Sequence, residues 1–142
     1  FREYPNLSLI ISDTSIINDK GEIIEASFFK IRGKFRKDAI SNIVKNKFLG
    51  CTMAFKSDFR DIILPFPPRI PRHDIWIGIM IAIWGQVFFI NKPLMSYRRH
   101  GKNVSPLVNQ GLLQIIKWRY ILITCLFKRC IDIVFLRNNN EY

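Results

Sequence analysis

The stretch "HDIWIGIMIAIWGQVFFI" (73–90) decides the fold. It carries no charged residue after Asp74, and Gly85 divides it into two parts. The first part has the length of a helix, and Gly85 is typical of the residue that follows a helix C-terminus. The second part, residues 86–90, is rich in β-branched and aromatic residues, as buried strands are. A helix that leads directly into a buried strand predicts an α/β domain.

Shorter patterns on both sides extend this prediction. Four prolines between residues 65 and 71 remove backbone donors, so we expect a loop that delivers the chain to His73. The longest uncharged run between 111 and 136 is far shorter than the roughly 20 residues that span a bilayer. The other predicted elements are a strand at 7–13, a turn at 18–21, a helix at 34–48, a strand opened by Gly50 at 49–58, a short helix at 57–64, a strand beginning at 94, and one or two helices at 111–136.

Composition limits the class of protein. The chain has 142 residues, about one domain, and 49% of them are hydrophobic, which excludes a disordered chain. The net charge of +11 is spread along the sequence, which favours a polyanionic partner such as nucleic acid, a phosphorylated ligand or an anionic membrane. A generally basic protein without such a partner is the alternative. Three cysteines and no CxxC motif support neither a zinc site nor a disulfide framework, and indicate a reducing compartment.

Asp74 is the strongest candidate for a catalytic residue. It follows a proline-rich loop, His73 stands beside it, and Trp76 could line a pocket next to it. A carboxylate with an apolar wall behind it can serve as a general base. The alternative is a carboxylate that merely stabilises the first turn of a helix. The residues alone leave both interpretations open.

Three further segments carry weaker signals. The loop "SYRRHGKN" (96–103) offers two arginines that suit phosphate oxygens and one histidine that could bind a metal. The segment "LGCTMAF" (49–55) has a glycine that would let a ligand approach the backbone. The segment "KIRGKFRK" (30–37) could contact phosphate or a membrane. Each could equally be an ordinary solvated loop or strand.

Taken together and in order, four segments resemble the C-terminal part of family 2 glycosyltransferases, especially their rhamnosyltransferase-like bacterial branch. They are "SDTSIINDKGEII" (12–24), "FLGCTMAFKSD" (48–58), "HDIWIGIMIAIWGQVFFINKPLMSYRRHGKN" (73–103) and the basic helical tail. The third is the most specific, because it combines an acid before a tryptophan-containing helix with the pattern "YRxHGxN". The resemblance covers roughly residues 7–105.

The resemblance implies the A-type glycosyltransferase fold and transfer of a sugar, with inversion, from a nucleotide-diphosphate donor. Asp74 would be the general base that takes the proton of the acceptor hydroxyl. Arg98 and Arg99 would bind the diphosphate, and His100 would bind Mg²⁺ or Mn²⁺. The acceptor and donor sugar would be contacted by a further set: Gly50, Cys51, Met53, His73 and Trp76.

One departure from the family is clear, because the sequence contains no Asp-x-Asp metal motif. We therefore expect a partial, Rossmann-like A-type domain at 1–105 that lacks its N-terminal nucleotide-binding half. A basic amphipathic helical tail at 106–142 would follow it. Such a piece of an enzyme would be inactive by itself.

The resemblance also implies partners and a location. We expect a nucleotide-sugar donor, a glycan or lipid-linked acceptor, no nucleic acid, and a role in cell-surface polysaccharide synthesis. The location would be cytoplasmic, with peripheral contact at the inner face of the cell membrane. The alternative function is a non-catalytic remnant, or a basic module that binds nucleic acid or a membrane surface.

Overall fold

A computed structural model of the chain describes residues 1–70, 72–99 and 111–139. It is a mixed α/β structure with a four-stranded sheet that contains parallel and antiparallel pairs. In chain order the elements are β1 (Leu9–Ile17), β2 (Ile23–Glu25), α1 (Phe28–Arg32), α2 (Ala39–Val44), β3 (Met53–Phe55), α3 (Arg60–Ile63), α4 (His73–Trp84), β4 (Val87–Arg98) and α5 (Leu112–Asn139).

Strand β1 is the centre of the sheet. One of its edges pairs in parallel with β4 over its whole length, from Leu9 opposite Val87 to Ile17 opposite Arg98. Its other edge is shared, because β3 pairs antiparallel with residues 9–11 and β2 pairs antiparallel with residues 16–17. The parallel pair requires the chain to cross over between β1 and β4, and α4 is part of that crossover.

The strand predicted at 7–13 begins at Leu9 and continues to Ile17, through four polar residues at 12–15. The reason is that the buried polar side chains there find partners. The Thr14 hydroxyl donates to the Met95 carbonyl at 2.9 Å, and the Ser15 and Ser96 hydroxyls are 2.9 Å apart. Asp13 is 2% exposed, and it accepts hydrogen bonds from the Ser27 hydroxyl and the Thr14 backbone. Buried polar groups with partners do not end a strand.

Helix α4 confirms the helix predicted at 73–84 and forms the middle of the core. Its side chains Trp76, Ile79, Met80 and Ile81 have no exposed surface. The residue after the helix, Gly85, is extended rather than left-handed, so its role is spatial. A Cβ at Gly85 would lie 2.4 Å from the Ser8 hydroxyl oxygen and 2.5 Å from Phe59 Cζ, closer than atoms can approach.

The helix predicted at 34–48 is wrong, because only Ala39–Val44 is helical. The buried amide of Asn42 explains the difference. It donates to the backbone carbonyls of Arg36 and Asp38 at 2.7 and 2.8 Å, and it accepts from the Lys47 backbone N–H at 2.9 Å. These bonds hold the flanking chain in loops that compete with helical hydrogen bonds.

The elements predicted between 49 and 64 are also shorter than expected. Gly50–Thr52 forms a single 3₁₀ turn, and the strand begins only at Met53. The helix predicted at 57–64 is a 3₁₀ turn, Ser57–Phe59, followed by α3. A 3₁₀ turn closes a hydrogen-bonded ring over one residue fewer than an α-helix does, so it suits such short corners.

Helix α5 is one continuous helix that packs against the same core as α4. Leu122, Leu126 and Ile133 are its buried contacts with that core. In the part of the chain that the structure describes, no helix combines the length and apolar character needed to cross a membrane. The domain boundary predicted at 105/106 lies outside the described residues.

Candidate functional site

The first turn of α4 meets the segment around Gly50. A Cβ added to Gly50 would lie 3.3 Å from Asp74 Cβ and 3.6 Å from His73 Nε2. The backbone of Gly50 therefore lies directly against both side chains, with no side chain of its own between them. The structure brings together four of the residues that the sequence singled out: Gly50, Cys51, His73 and Asp74.

Phe48 and Gly78 fix this meeting point. A Cβ at Gly78 would lie 2.2 Å from the Phe48 ring. The ring therefore occupies the space that a side chain at position 78 would need. Phe48 is 2% exposed and packs at a 6.1 Å centroid distance against Phe35. Because Phe48 is two residues before Gly50, its anchoring against α4 determines where the Gly50 backbone runs.

Asp74 lies in the first helical turn and is partly exposed. One of its carboxylate oxygens accepts a hydrogen bond from the Ile75 backbone N–H at 2.8 Å. The other oxygen has no hydrogen-bond partner among the described residues. The N-cap position itself is Arg72, whose side chain makes no capping bond. Asp74 thus has one carboxylate oxygen bonded to the helix backbone and one that is available to solvent or to a ligand.

The pKa of the Cys51 thiol depends in part on Asp74. Partial burial of the thiol raises this pKa above its ordinary value, and the negative charge of Asp74 raises it further. The residue as a whole is nevertheless exposed. A thiol with a raised pKa is mostly protonated at neutral pH, so Cys51 is suited to contact a ligand rather than to attack it.

Two of the residues predicted to contact the sugars, Trp76 and Met53, lie away from the contact between Gly50 and Asp74. Trp76 is fully buried, and its indole N–H donates to the Ile63 carbonyl at 2.9 Å. Met53 is half-buried in β3, opposite Ile11. In this structure Trp76 supports α4 from the core and Met53 belongs to the sheet.

The predicted diphosphate-binding arginines lie at the far end of β4. The Arg98 guanidinium donates to the carbonyls of Asn18 and Asp19, at 2.8 and 2.7 Å, and so holds the turn between β1 and β2. The Arg99 backbone N–H donates to the Ile17 carbonyl, and its guanidinium lies 5.6 Å from the centre of the Tyr97 ring. The predicted metal ligand His100 lies outside the described residues.

Helix α5 borders the site through a contact that the sequence did not indicate. The Arg72 guanidinium lies over the Trp118 ring, 5.7 Å from its centre. Arg119 follows, and its guanidinium donates to the Val44 carbonyl at 3.1 Å. Burial lowers the pKa of Arg119, and the positive charge of Arg72 lowers it further. No periodicity relates Arg72 to Trp118, because the two residues belong to different elements.

A concave surface lies beside α1 and β4. It is an open cavity of about 590 Å³. Its floor includes stacked rings, with Phe35 and Phe89 at a centroid distance of 4.7 Å and an interplanar angle of 14°. Three lysines stand around it: Lys30, Lys34 and Lys37. An aromatic floor with a cationic rim suits an anionic ligand that has a flat or apolar part.

The described residues do not provide a metal site. In the ranges 1–70, 72–99 and 111–139, no three side chains of His, Cys, Asp or Glu come together as ligands. Mg²⁺ and Mn²⁺ prefer sets of oxygen ligands, and Asp74 alone is not such a set. No step of a mechanism can therefore be assigned to a metal held by these residues.

Comparison with known proteins adds no assignment. No protein-family model matches the chain, and no curated protein and no solved structure matches it.

Proposed function

We propose that these residues form the acceptor-side part of an inverting glycosyltransferase with an A-type, Rossmann-like fold, and that Asp74 is its general base. One observation carries the proposal. One carboxylate oxygen of Asp74 has no partner among the described residues, and the Cβ of Asp74 lies against the backbone of Gly50, which has no side chain. The resemblance of four ordered segments to family 2 glycosyltransferases supports the same assignment.

The chemistry needs a base at this position. The oxygen of the acceptor hydroxyl forms a bond to the anomeric carbon, while its proton moves to the free oxygen of Asp74. The nucleoside diphosphate leaves from the opposite face with the electron pair of the broken bond, so the configuration inverts. His73 and Cys51 would contact the acceptor beside the base, and the open backbone at Gly50 would give the sugar room. A divalent cation, bound by residues outside those described here, would supply charge neutralisation for the leaving diphosphate.

The test is the substitution Asp74→Asn in the protein as the cell makes it. Release of nucleoside diphosphate would be followed with a panel of nucleotide sugars and glycan or lipid-linked acceptors. Loss of the base should lower turnover by about 10²- to 10⁴-fold and leave donor binding near that of the unmodified protein. The control is Asp58→Asn, which changes an exposed carboxylate in the turn before α3.

Two results would refute the assignment. Turnover of Asp74→Asn within a few-fold of the unmodified protein would mean that Asp74 only stabilises the first turn of α4. Absence of diphosphate release with every donor and acceptor would favour a non-catalytic remnant.

A second candidate function is favoured by a separate observation, the lysine-rimmed cavity. It is the binding of a phosphorylated ligand without catalysis. Calorimetric titration with nucleoside diphosphates would test it on a triple variant in which Lys30, Lys34 and Lys37 become glutamine. Loss of binding in the triple variant would assign the ligand to the cavity. Unchanged binding in the triple variant would refute this second function.

A further inference from the structure

Helix α5 has two apolar faces, and the protein core uses one of them. The second face, which we name the apolar strip, is exposed to solvent. Its members are Leu113 (84% exposed), Ile116 (55%), Tyr120 (69%), Ile123 (49%), Phe127 (69%), Ile131 (38%) and Val134 (46%). They follow one another at intervals of three or four residues, so they lie within an arc of about 80° on the helix.

The strip is too large to be ordinary surface. From residue 113 to 134 it runs for about 30 Å along the helix. Single apolar residues on a surface need no explanation, but a continuous apolar patch beyond several hundred Å² marks a site of contact with another molecule. The buried face of the helix, formed by Leu122, Leu126 and Ile133, already fixes α5 on the protein body. The strip is therefore not required for that attachment.

The charges beside the strip indicate which molecule covers it. Lys117 and Lys128 are exposed and border the strip on one side. The single carboxylate among the described side chains of α5, Asp132, is half-buried and lies outside the strip. A second copy of this helix would bring lysine borders together with no carboxylate to pair them. A surface of anionic lipid headgroups complements the lysines, while the acyl boundary accepts the apolar side chains.

We propose that the apolar strip of α5 binds the surface of an anionic lipid bilayer, with the helix lying in the plane of the interface. The lysine stems extend along the apolar region and place their ammonium groups among the headgroups. Tyr120 would sit at the same boundary, where its ring is buried and its hydroxyl stays wet. The proposal does not rest on glycosyl transfer, because it follows from the helix surface alone.

Co-sedimentation with lipid vesicles tests the proposal. The probes are vesicles of phosphatidylcholine alone and of phosphatidylcholine with 30 mol% phosphatidylglycerol, a composition of roughly physiological charge. The unmodified protein should bind the anionic vesicles, and more weakly at high salt. Lys117→Gln with Lys128→Gln should weaken that binding roughly 30-fold, about fivefold for each lysine. Ile116→Asn with Phe127→Asn should abolish binding to the anionic vesicles.

A control and a second readout keep the result independent of folding. Ile24→Asn changes an equally exposed apolar residue on β2 and should bind as the unmodified protein does. For the second readout, Tyr120→Trp should be quenched by lipids brominated along the acyl chain. Tyr4→Trp, at an exposed residue outside α5, should not be quenched.

Three outcomes would overturn the proposal. They are absence of binding to anionic vesicles, equal binding by the Ile116→Asn, Phe127→Asn variant, and a lipid-free dimer that this variant abolishes. The last outcome would assign the strip to a second copy of the chain. Each of these readouts is lipid binding or self-association, so a failure here leaves the diphosphate-release test of Asp74 unaffected.

Discussion

The substitution Gly78→Ala tests whether the position of Phe48 against α4 is as tight as the structure has it. The added Cβ would lie 2.2 Å from Phe48 Cγ and 2.3 and 2.6 Å from the two Cδ atoms, whereas ordinary contacts begin near 3.4 Å. The ring must therefore move by about 1 Å. It is 2% exposed and packs against Phe35, so it has no free space to move into.

The magnitude follows from two opposing effects. Overpacking of a dense core costs about 1–3 kcal/mol, while replacing glycine by alanine inside a helix returns up to about 1 kcal/mol. We expect a net loss of about 1–2 kcal/mol in the free energy of unfolding. For a chain of this size that corresponds to a fall in Tm of roughly 3–6 °C.

Urea unfolding followed by far-ultraviolet circular dichroism is the assay. Gly111→Ala is the control, because a Cβ there would meet nothing within 4 Å. Adding Phe48→Leu should recover part of the loss in the Gly78→Ala background, since it makes room, while destabilising the unmodified protein. A Gly78→Ala protein as stable as the unmodified one would refute the reasoning, and so would strictly additive effects of the two substitutions.

Three further predictions concern single side chains. Asp74→Asn should speed the alkylation of Cys51 by iodoacetamide at pH 8, because removal of the negative charge lowers the raised pKa of the thiol. Asn42→Ala should lower the free energy of unfolding by about 2 kcal/mol or more, measured by urea unfolding, because three backbone groups lose their partner. The pKa of Asp38 is lowered by the hydrogen bond from the Ser41 backbone N–H, so its folded value lies below the unfolded one. Asp38→Ala should therefore destabilise the protein above pH 3.8, and the difference in urea midpoint should shrink as pH falls through the lower folded value.

Matched control variants show whether each effect is specific to the residue that was changed. Asp58→Asn should leave the alkylation rate of Cys51 unchanged. Asn6→Ala, in an exposed segment, should leave the urea midpoint unchanged. An unchanged alkylation rate in Asp74→Asn would mean that Asp74 does not act on Cys51.

The parts of the fold that the sequence predicts well are those with one dominant signal. Helix α4 is predictable because an unbroken apolar run and a glycine agree, and the α/β class follows from the strand after it. The prediction of a helix at 34–48 is wrong because a single buried amide, Asn42, holds the backbone on both sides in loops. Periodicity contains no information about such a hydrogen bond.

For the candidate site the sequence indicates individual residues but not how they are arranged. Asp74 and Gly50 were both singled out, yet their contact depends on the Phe48 ring fitting at Gly78, which no spacing reveals. Trp76 looked like a pocket residue because of its position after Asp74, but on a helix two residues can be close in sequence and face opposite ways. For α5 the sequence predicts a basic amphipathic tail, and only packing against the body distinguishes its buried apolar face from its exposed one.

Because β1 is the central strand, it waits during synthesis for its parallel partner. Its parallel partner β4 is translated roughly 80 residues later, which at about 5–20 residues per second is a delay of roughly 4–16 s. The antiparallel partner β3 is made earlier, but it covers only residues 9–11. During the delay an apolar strand with open edges is available to other chains. The yield of folded protein in a cell should therefore depend on ribosome speed between β3 and β4, and on chaperones that shield the segment 7–13.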